Sequence, residues 1–211
     1  MTIRPAYLAA AQAAATLLAQ PAVAASWDQP SALELYAVSG LAGHLAGQIF
    51  FAGKALGLPE PDPEPIALLE YYDRVDWIRS GHDSETHLRI RNGSMLNAVD
   101  GPAALASRVQ AAVVGLPQIL EATPTLRRVQ LPTWQWALTF DDFLLSRLVE
   151  LAVHLDDLAV SVGVPTPPLP GEVTGPVLEL LVSLATRKHG EVALLRALSR
   201  TERAPATIAA F

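Results

Sequence analysis

Glu150 and His154 stand four residues apart in Arg147-Leu148-Val149-Glu150-Leu151-Ala152-Val153-His154-Leu155-Asp156-Asp157-Leu158. On a helix that spacing places both side chains on one face, from which they can reach a single ion. A Glu and a His at this spacing are more often a solvated surface pair. Here Leu151 and Leu158 flank them, so the pair interrupts an apolar stripe instead of extending a polar face. His44, in Gly40-Leu41-Ala42-Gly43-His44-Leu45-Ala46-Gly47, shares a face with Leu41 and Gln48 and borders a second apolar stripe. Alone, such a histidine is usually a hydrogen-bonded core residue. Taken with the other helix it completes two imidazoles and one carboxylate. That is a common three-ligand set for zinc or another divalent transition ion, with the remaining positions open to water or substrate.

Neighbouring groups have a structural and a chemical reading each. Asp156 and Asp157 either orient a ligand histidine or face solvent. Arg147 lies one turn before Glu150; its guanidinium can neutralise a carboxylate but cannot bind a cation, so it is read as structural, with substrate binding as its alternative. His82, His87 and His189 have no partner at metal spacing and are read as surface residues. Trp134 and Trp136 alternate about Gln135 as in an extended strand, which puts both on one side, as core packing or as a pocket wall. Arg187, Lys188, Arg196, Arg200 and Arg203 concentrate positive charge toward the C-terminus. A solvated helix end is the default, and recognition of a carboxylated substrate is the sharper reading.

The chain that must position these residues has 211 of them, 51% apolar and only 6% aromatic, a balance that favours helices packed on helices. Its formal charge of −6 offers no basic field for nucleic acid. It contains no cysteine, so any thiol chemistry must use a thiol the protein does not itself supply. The apolar stretch from Ala9 to Ala25 resembles a signal peptide, but Arg4 is its one basic flank and Gln12 and Gln20 interrupt it. It is read as a retained helix of a cytoplasmic protein. No other apolar run approaches the ~20 residues a membrane span needs.

The expected architecture is all-α. Helical spacing marks residues 5 to 20, ended by Pro21. A second helix starts at Ser31, with Glu34 in capping-box position, and runs to about Leu56; its Gly40, Gly43, Gly47 and Gly53 suggest close helix approach or strain tolerated by burial. The alternating prolines from Pro59 to Pro65 make a stiff connector. A helical pattern follows from about Ile66 to Ser80, and Gly81 to Gly101 is a polar stretch with turns. Pro102 opens a helix to about Thr123, and residues 126 to 136 are an extended or short-strand connection. Thr139 with Asp142 opens the strongest helix, which Gly163 stops near Val162. After the proline-rich linker from Pro165 to Gly171, a last helix covers about Pro176 to Leu198. The outcome is a four-helix bundle over residues 1–163 with a lateral insertion at about 57–100. Residues 164–211 form a linker and a C-terminal helical extension packed on the bundle.

Two stretches resemble the mycothiol-dependent maleylpyruvate isomerase family, within the larger DinB-like group of metal-binding four-helix bundles. Trp27-Asp28-Gln29-Pro30-Ser31 leading into Val38-Ser39-Gly40-Leu41-Ala42-Gly43-His44-Leu45 is similar to the family's segment ending in its first metal histidine. Arg147 to Ala159 is similar to its Glu-x-x-x-His helix followed by Asp-Leu. The likeness is clearest over residues 1 to 60 and 100 to 163, and the segment from Arg196 to Phe211 also resembles tails of related proteins. The resemblance implies His44, Glu150 and His154 as metal ligands and mycothiol as a thiol cofactor. Characterised isomerases carry a further C-terminal domain that contributes an arginine to the active site; this chain is too short for it, and no arginine here takes that role.

The expected function is therefore that of a metal-dependent enzyme using a low-molecular-weight thiol, mycothiol by resemblance. It would act by S-transfer to, or cis-trans isomerisation of, an electrophilic small molecule. Metal-activated hydrolysis or cyclisation without a thiol is a second enzyme class, and a metal-stabilised binding or sensing bundle without turnover is the non-enzyme alternative. The expected partner is a small-molecule substrate, with no nucleic acid, no membrane, and a homodimer left open.

Overall fold

A computed structural model describes residues 3–211, and they form an all-α bundle. The helices are α1 (Arg4–Leu18), α2 (Pro21–Ala25), α3 (Val38–Leu56), α4 (Leu68–Arg74), α5 (Glu85–Ala98), α6 (Pro102–Ala122), α7 (Phe140–Ser161), α8 (Gly171–His189) and α9 (Glu191–Ser199). The two-residue strands β1 (Arg128–Val129) and β2 (Leu138–Thr139) pair antiparallel just ahead of α7.

Four of these helices make the bundle. α1 packs on α6 and α7, and α3 packs on α6 and α7 from the other side. The core between them is mostly aliphatic: Leu17, Leu41, Leu45, Ile49, Leu105, Val109, Leu144, Leu148 and Leu155 are fully buried, with Phe140 and Phe143 closing one end. Burial of about 1.5–3 kcal/mol per large side chain outweighs the modest helix propensities of Val and Gly along these segments. Arg4 ties the ends together. Its Nε meets Asp141 of α7 at 2.9 Å and its Nη1 donates to the carbonyls of Leu120 in the last turn of α6 and of Thr123 just beyond it.

Several elements differ from the sequence-based expectation. α3 begins at Val38, not Ser31. The Ser31 hydroxyl is bonded to the N–H and C=O of Leu33, and a bridge between Pro30 and Ala37 closes residues 30–37 into a loop, with Leu35 at φ 68°. A local side-chain turn has outcompeted the capping box. Pro21 does end α1 but opens the short α2, as proline at a first helical position can. The helix expected over 66–80 is only α4 followed by a 3₁₀ turn at Asp76–Ile78. The last helix is two, parted at Gly190, whose φ of +85° no other residue type adopts at low cost. α8 starts at Gly171 and carries Pro176 inside its early turns.

The largest correction is α5. The polar stretch from Gly81 to Gly101 holds a 14-residue helix, capped by the Ser84 hydroxyl on the His87 N–H. It presses on α3 at three glycines. A Cβ on Gly43 would fall 2.0 Å from the Ser94 carbonyl oxygen, one on Gly47 3.0 Å from Asn97 Nδ2, and one on Gly40 3.2 Å from Met95 Sδ. The close approach lets Asn97 donate to the Gly43 carbonyl at 3.0 Å. α6 also departs from expectation: it is long and apolar enough by composition to cross a membrane, with mean hydropathy 1.3. It carries Arg108, and its Leu105, Val109, Val113, Leu116 and Leu120 face the bundle core.

Candidate metal centre

α3 and α7 face each other across the bundle, and their polar interruptions meet. His44 projects from the middle of α3, and Glu150 and His154 project from adjacent turns of α7. Nitrogen and oxygen atoms of the three side chains lie within 4.8 Å of one another. Both His44 Nε2 and His154 Nε2 are 3.4 Å from the same atom, Glu150 Oε2. The imidazole rings stand nearly perpendicular, centroids 4.5 Å apart. Each of the three side chains is 14% exposed, so the cluster is enclosed by the bundle yet reachable from outside.

The remaining ring nitrogens are committed elsewhere, and this sets what the cluster can hold. The Ser94 hydroxyl of α5 gives its single proton to the Ile90 carbonyl at 2.9 Å, so toward His44 Nδ1, at 3.2 Å, it can only accept. His44 is thereby held as the Nδ1–H tautomer with its Nε2 lone pair facing Glu150. On the other side His154 Nδ1 donates to Asp157 Oδ2 at 2.9 Å, which leaves His154 Nε2 facing the same carboxylate. Two imidazole nitrogens and a carboxylate oxygen therefore converge, and the arrangement favours a cation among them: a proton, or a metal ion bound through nitrogen and oxygen. The donor set, its partial enclosure and the bonded outer nitrogens fit a divalent transition ion such as zinc.

The electrostatics agree with that preference for positive charge. Burial lowers the His154 pKa, but hydrogen bonds that the imidazolium donates to Asp157 and Glu150 prevail and raise it to about 9. Burial would raise Glu150, yet its bond with His154 and the positive charge of Arg147 nearby hold the carboxyl well below the usual range. His44 moves the other way: burial lowers its pKa below that of a free histidine, and neighbouring His154 adds to this. In this arrangement His154 is the group that keeps a proton at neutral pH.

Around the cluster lies a polar wall. Gln48, one turn beyond His44 and 1% exposed, donates from Nε2 to the His44 carbonyl at 3.1 Å and stands 3.3 Å from His44 Nε2. Its Oε1 accepts from Arg147 Nη1 at 2.9 Å. Arg147 is itself buried and donates to Tyr71 OH at 3.3 Å and Ser146 Oγ at 3.2 Å, with the Phe51 and Phe143 rings against its guanidinium. It is no ligand, and among the described residues no carboxylate forms an ion pair with it.

Other singled-out residues lie apart. Asp157 takes the orienting role, while Asp156 accepts from Thr166 on the exposed side. His87 bonds the Trp77 carbonyl, His82 lies against His87, and His189 bonds the Ala209 carbonyl. Trp134 and Trp136 sit in the loop between β1 and β2, not in a strand, yet stack on one side as expected, centroids 6.3 Å apart, with Trp134 against Tyr71. Arg187 pairs with Asp73 and Arg203 with Glu202, both exposed. Ser94 and Tyr36, whose ring lies edge-on to His44 at 6.0 Å, went unrecognised in the sequence. The glycine spacing on α3 was the signal that a helix must press there.

A helical bundle with a His-Glu-His cluster between two facing helices has the arrangement from which bundles build metal centres out of core side chains, and these three residues could hold one ion. Residues 7–159 match the family model for the mycothiol maleylpyruvate isomerase N-terminal domain, and the chain belongs to that family. No curated protein and no solved structure matches it significantly.

Proposed function

We propose that this protein holds one divalent metal ion, zinc by its donor set, through His44, Glu150 and His154. With it the protein would use a low-molecular-weight thiol, mycothiol, to attack an electrophilic small molecule. The observation that carries the metal reading is the convergence of three lone-pair donors whose other ring nitrogens are already bonded to Ser94 and Asp157. Family membership supports the thiol, and the absence of cysteine means that a sulfur nucleophile must come from outside the chain.

A divalent ion held by His44, Glu150 and His154 would supply a Lewis acid able to lower the pKa of a thiol from about 8.5 into the physiological range. The chain's own groups do the rest. Asp157 and Ser94 fix the two imidazoles in the tautomers that leave Nε2 free, and Glu150 contributes charge without a proton. Two outcomes suit this arrangement: the thiol ends bonded to the electrophile, as S-transfer, or it adds to an activated double bond and leaves after rotation, as isomerisation.

Calorimetric titration of mycothiol into zinc-loaded and metal-free protein tests the reading. Binding only to the loaded form is expected. Folded, fully loaded protein that fails to bind mycothiol would overturn the thiol mechanism.

A further inference from the structure

Gln48 is oriented by partners of opposite kind, which settles its amide unambiguously. Arg147 is only a donor, so the atom 2.9 Å from its Nη1 is Oε1. The His44 carbonyl is only an acceptor, so the atom 3.1 Å from it is Nε2. One amide hydrogen serves that carbonyl, and the other has a single acceptor in reach, the His44 Nε2 lone pair at 3.3 Å. That lone pair is the one a metal ion takes. The backbone of Gln48 cannot retreat, because its carbonyl accepts from the buried Tyr7 hydroxyl at 2.8 Å and the side chain is 1% exposed.

We infer that Gln48 is a ligand-selecting residue, its freed N–H donating to an anionic ligand atom coordinated at the open face of the ion. This rests on the metal reading given above. Leaving a buried N–H without an acceptor is costly, and an anionic acceptor beside it removes that cost. Charge points to the same class of ligand. Glu150 and Asp157 bring two negative charges against a divalent ion and the buried Arg147 guanidinium, so the centre keeps one positive charge. Arg147 acts through Gln48: it holds Oε1 and so forbids the flipped amide that would turn an acceptor toward the ligand. A thiolate or another small anion accepts that N–H more strongly than a neutral ligand atom does.

The test uses cobalt(II)-loaded full-length protein, whose visible absorption reports both occupancy and changes at the ion. Azide and 2-mercaptoethanol are titrated into the parent protein and into Gln48→Met, which keeps the bulk and removes the N–H. Cobalt affinity within about three-fold of the parent, with affinity for both probes falling about ten-fold or more, is the expected result for loss of a hydrogen bond to a charged atom. Gln48→Glu keeps the bond to Arg147 and replaces the donor by an acceptor; it should weaken both probes at least as much, and it carries the test should the Met variant not fold. Unchanged probe affinities in either folded, cobalt-loaded variant overturn the role of Gln48 alone. Failure of the parent to take up cobalt overturns the metal reading and this inference together.

Discussion

Ser94 on α5 accepts a hydrogen bond from His44 Nδ1 on α3, its own proton being given to the Ile90 carbonyl. The contact links α5, which supplies no candidate ligand, to the orientation of one on α3. Ser94→Ala removes the acceptor and leaves the His44 ring free to turn or change tautomer. Metal affinity should fall about 10- to 100-fold, as is usual when a group orienting a ligand is lost. Competition with a chromophoric chelator measures it, and an affinity equal to the parent's would mean that His44 needs no such support.

The ligands themselves give the plainest expectation. Purified protein should contain about one divalent ion per chain, and His44→Ala, Glu150→Ala or His154→Ala should each lose it. Elemental analysis after exhaustive dialysis reads this directly. Full occupancy in all three variants would place the ion elsewhere.

Gly43 makes the α3–α5 contact possible, since any Cβ there would overlap the Ser94 carbonyl 2.0 Å away. Because both atoms are set by backbone, neither can yield cheaply. Gly43→Ala should lower stability by about 1–3 kcal/mol through overpacking and weaken metal binding as well by displacing Ser94. Gly53→Ala is the contrast: nothing lies within 4 Å of its added Cβ, so the same change should raise stability by about 0.5–1 kcal/mol. Thermal unfolding of both variants separates them. Equal shifts would show that α5 does not press on α3 in solution.

How far the sequence revealed this arrangement differs between its parts. α7 was legible because its Thr139 cap, its apolar stripe and Gly163 all agree, and it carries two of the three candidate ligands on one face. His44 was legible through its apolar neighbours. α5 was not, because it packs with small residues into glycine grooves: only Ser94 and Ala98 are buried, and Leu88, Met95 and Leu96 are largely exposed. A helix of that kind has no apolar periodicity to read. Ser94 was hidden with it. Gln48 was placed on the face of His44, but its amide acquires meaning only beside Arg147, which comes from 99 residues away. The start of α3 was misread because the Ser31 side chain found a turn before it could find a helix.

The pH dependence of metal-free protein should carry the mark of the cation that the cluster favours. His154 holds its proton up to about pH 9 when folded, whereas an unfolded histidine releases it near about 6.5. A raised folded pKa gives stability that is full below about 6.5 and disappears as the pH rises toward 9. Glu150 acts in the opposite sense. Its carboxyl is held well below the ordinary range, so its contribution is present above about pH 4.5 and is lost as the pH falls below that. Metal-free protein should therefore lose stability on going from pH 6.5 to 9. A bound ion removes this loss, because it occupies the place of the proton and binds more tightly as that proton leaves. At pH 7.5 loading should release close to one proton per ion, measurable by calorimetry in buffers of different ionisation enthalpy. Thermal unfolding of metal-free and zinc-loaded protein between pH 6.5 and 9 should give curves that diverge as the pH rises. Parallel curves with no proton release would show that His154 carries no proton in the metal-free cluster.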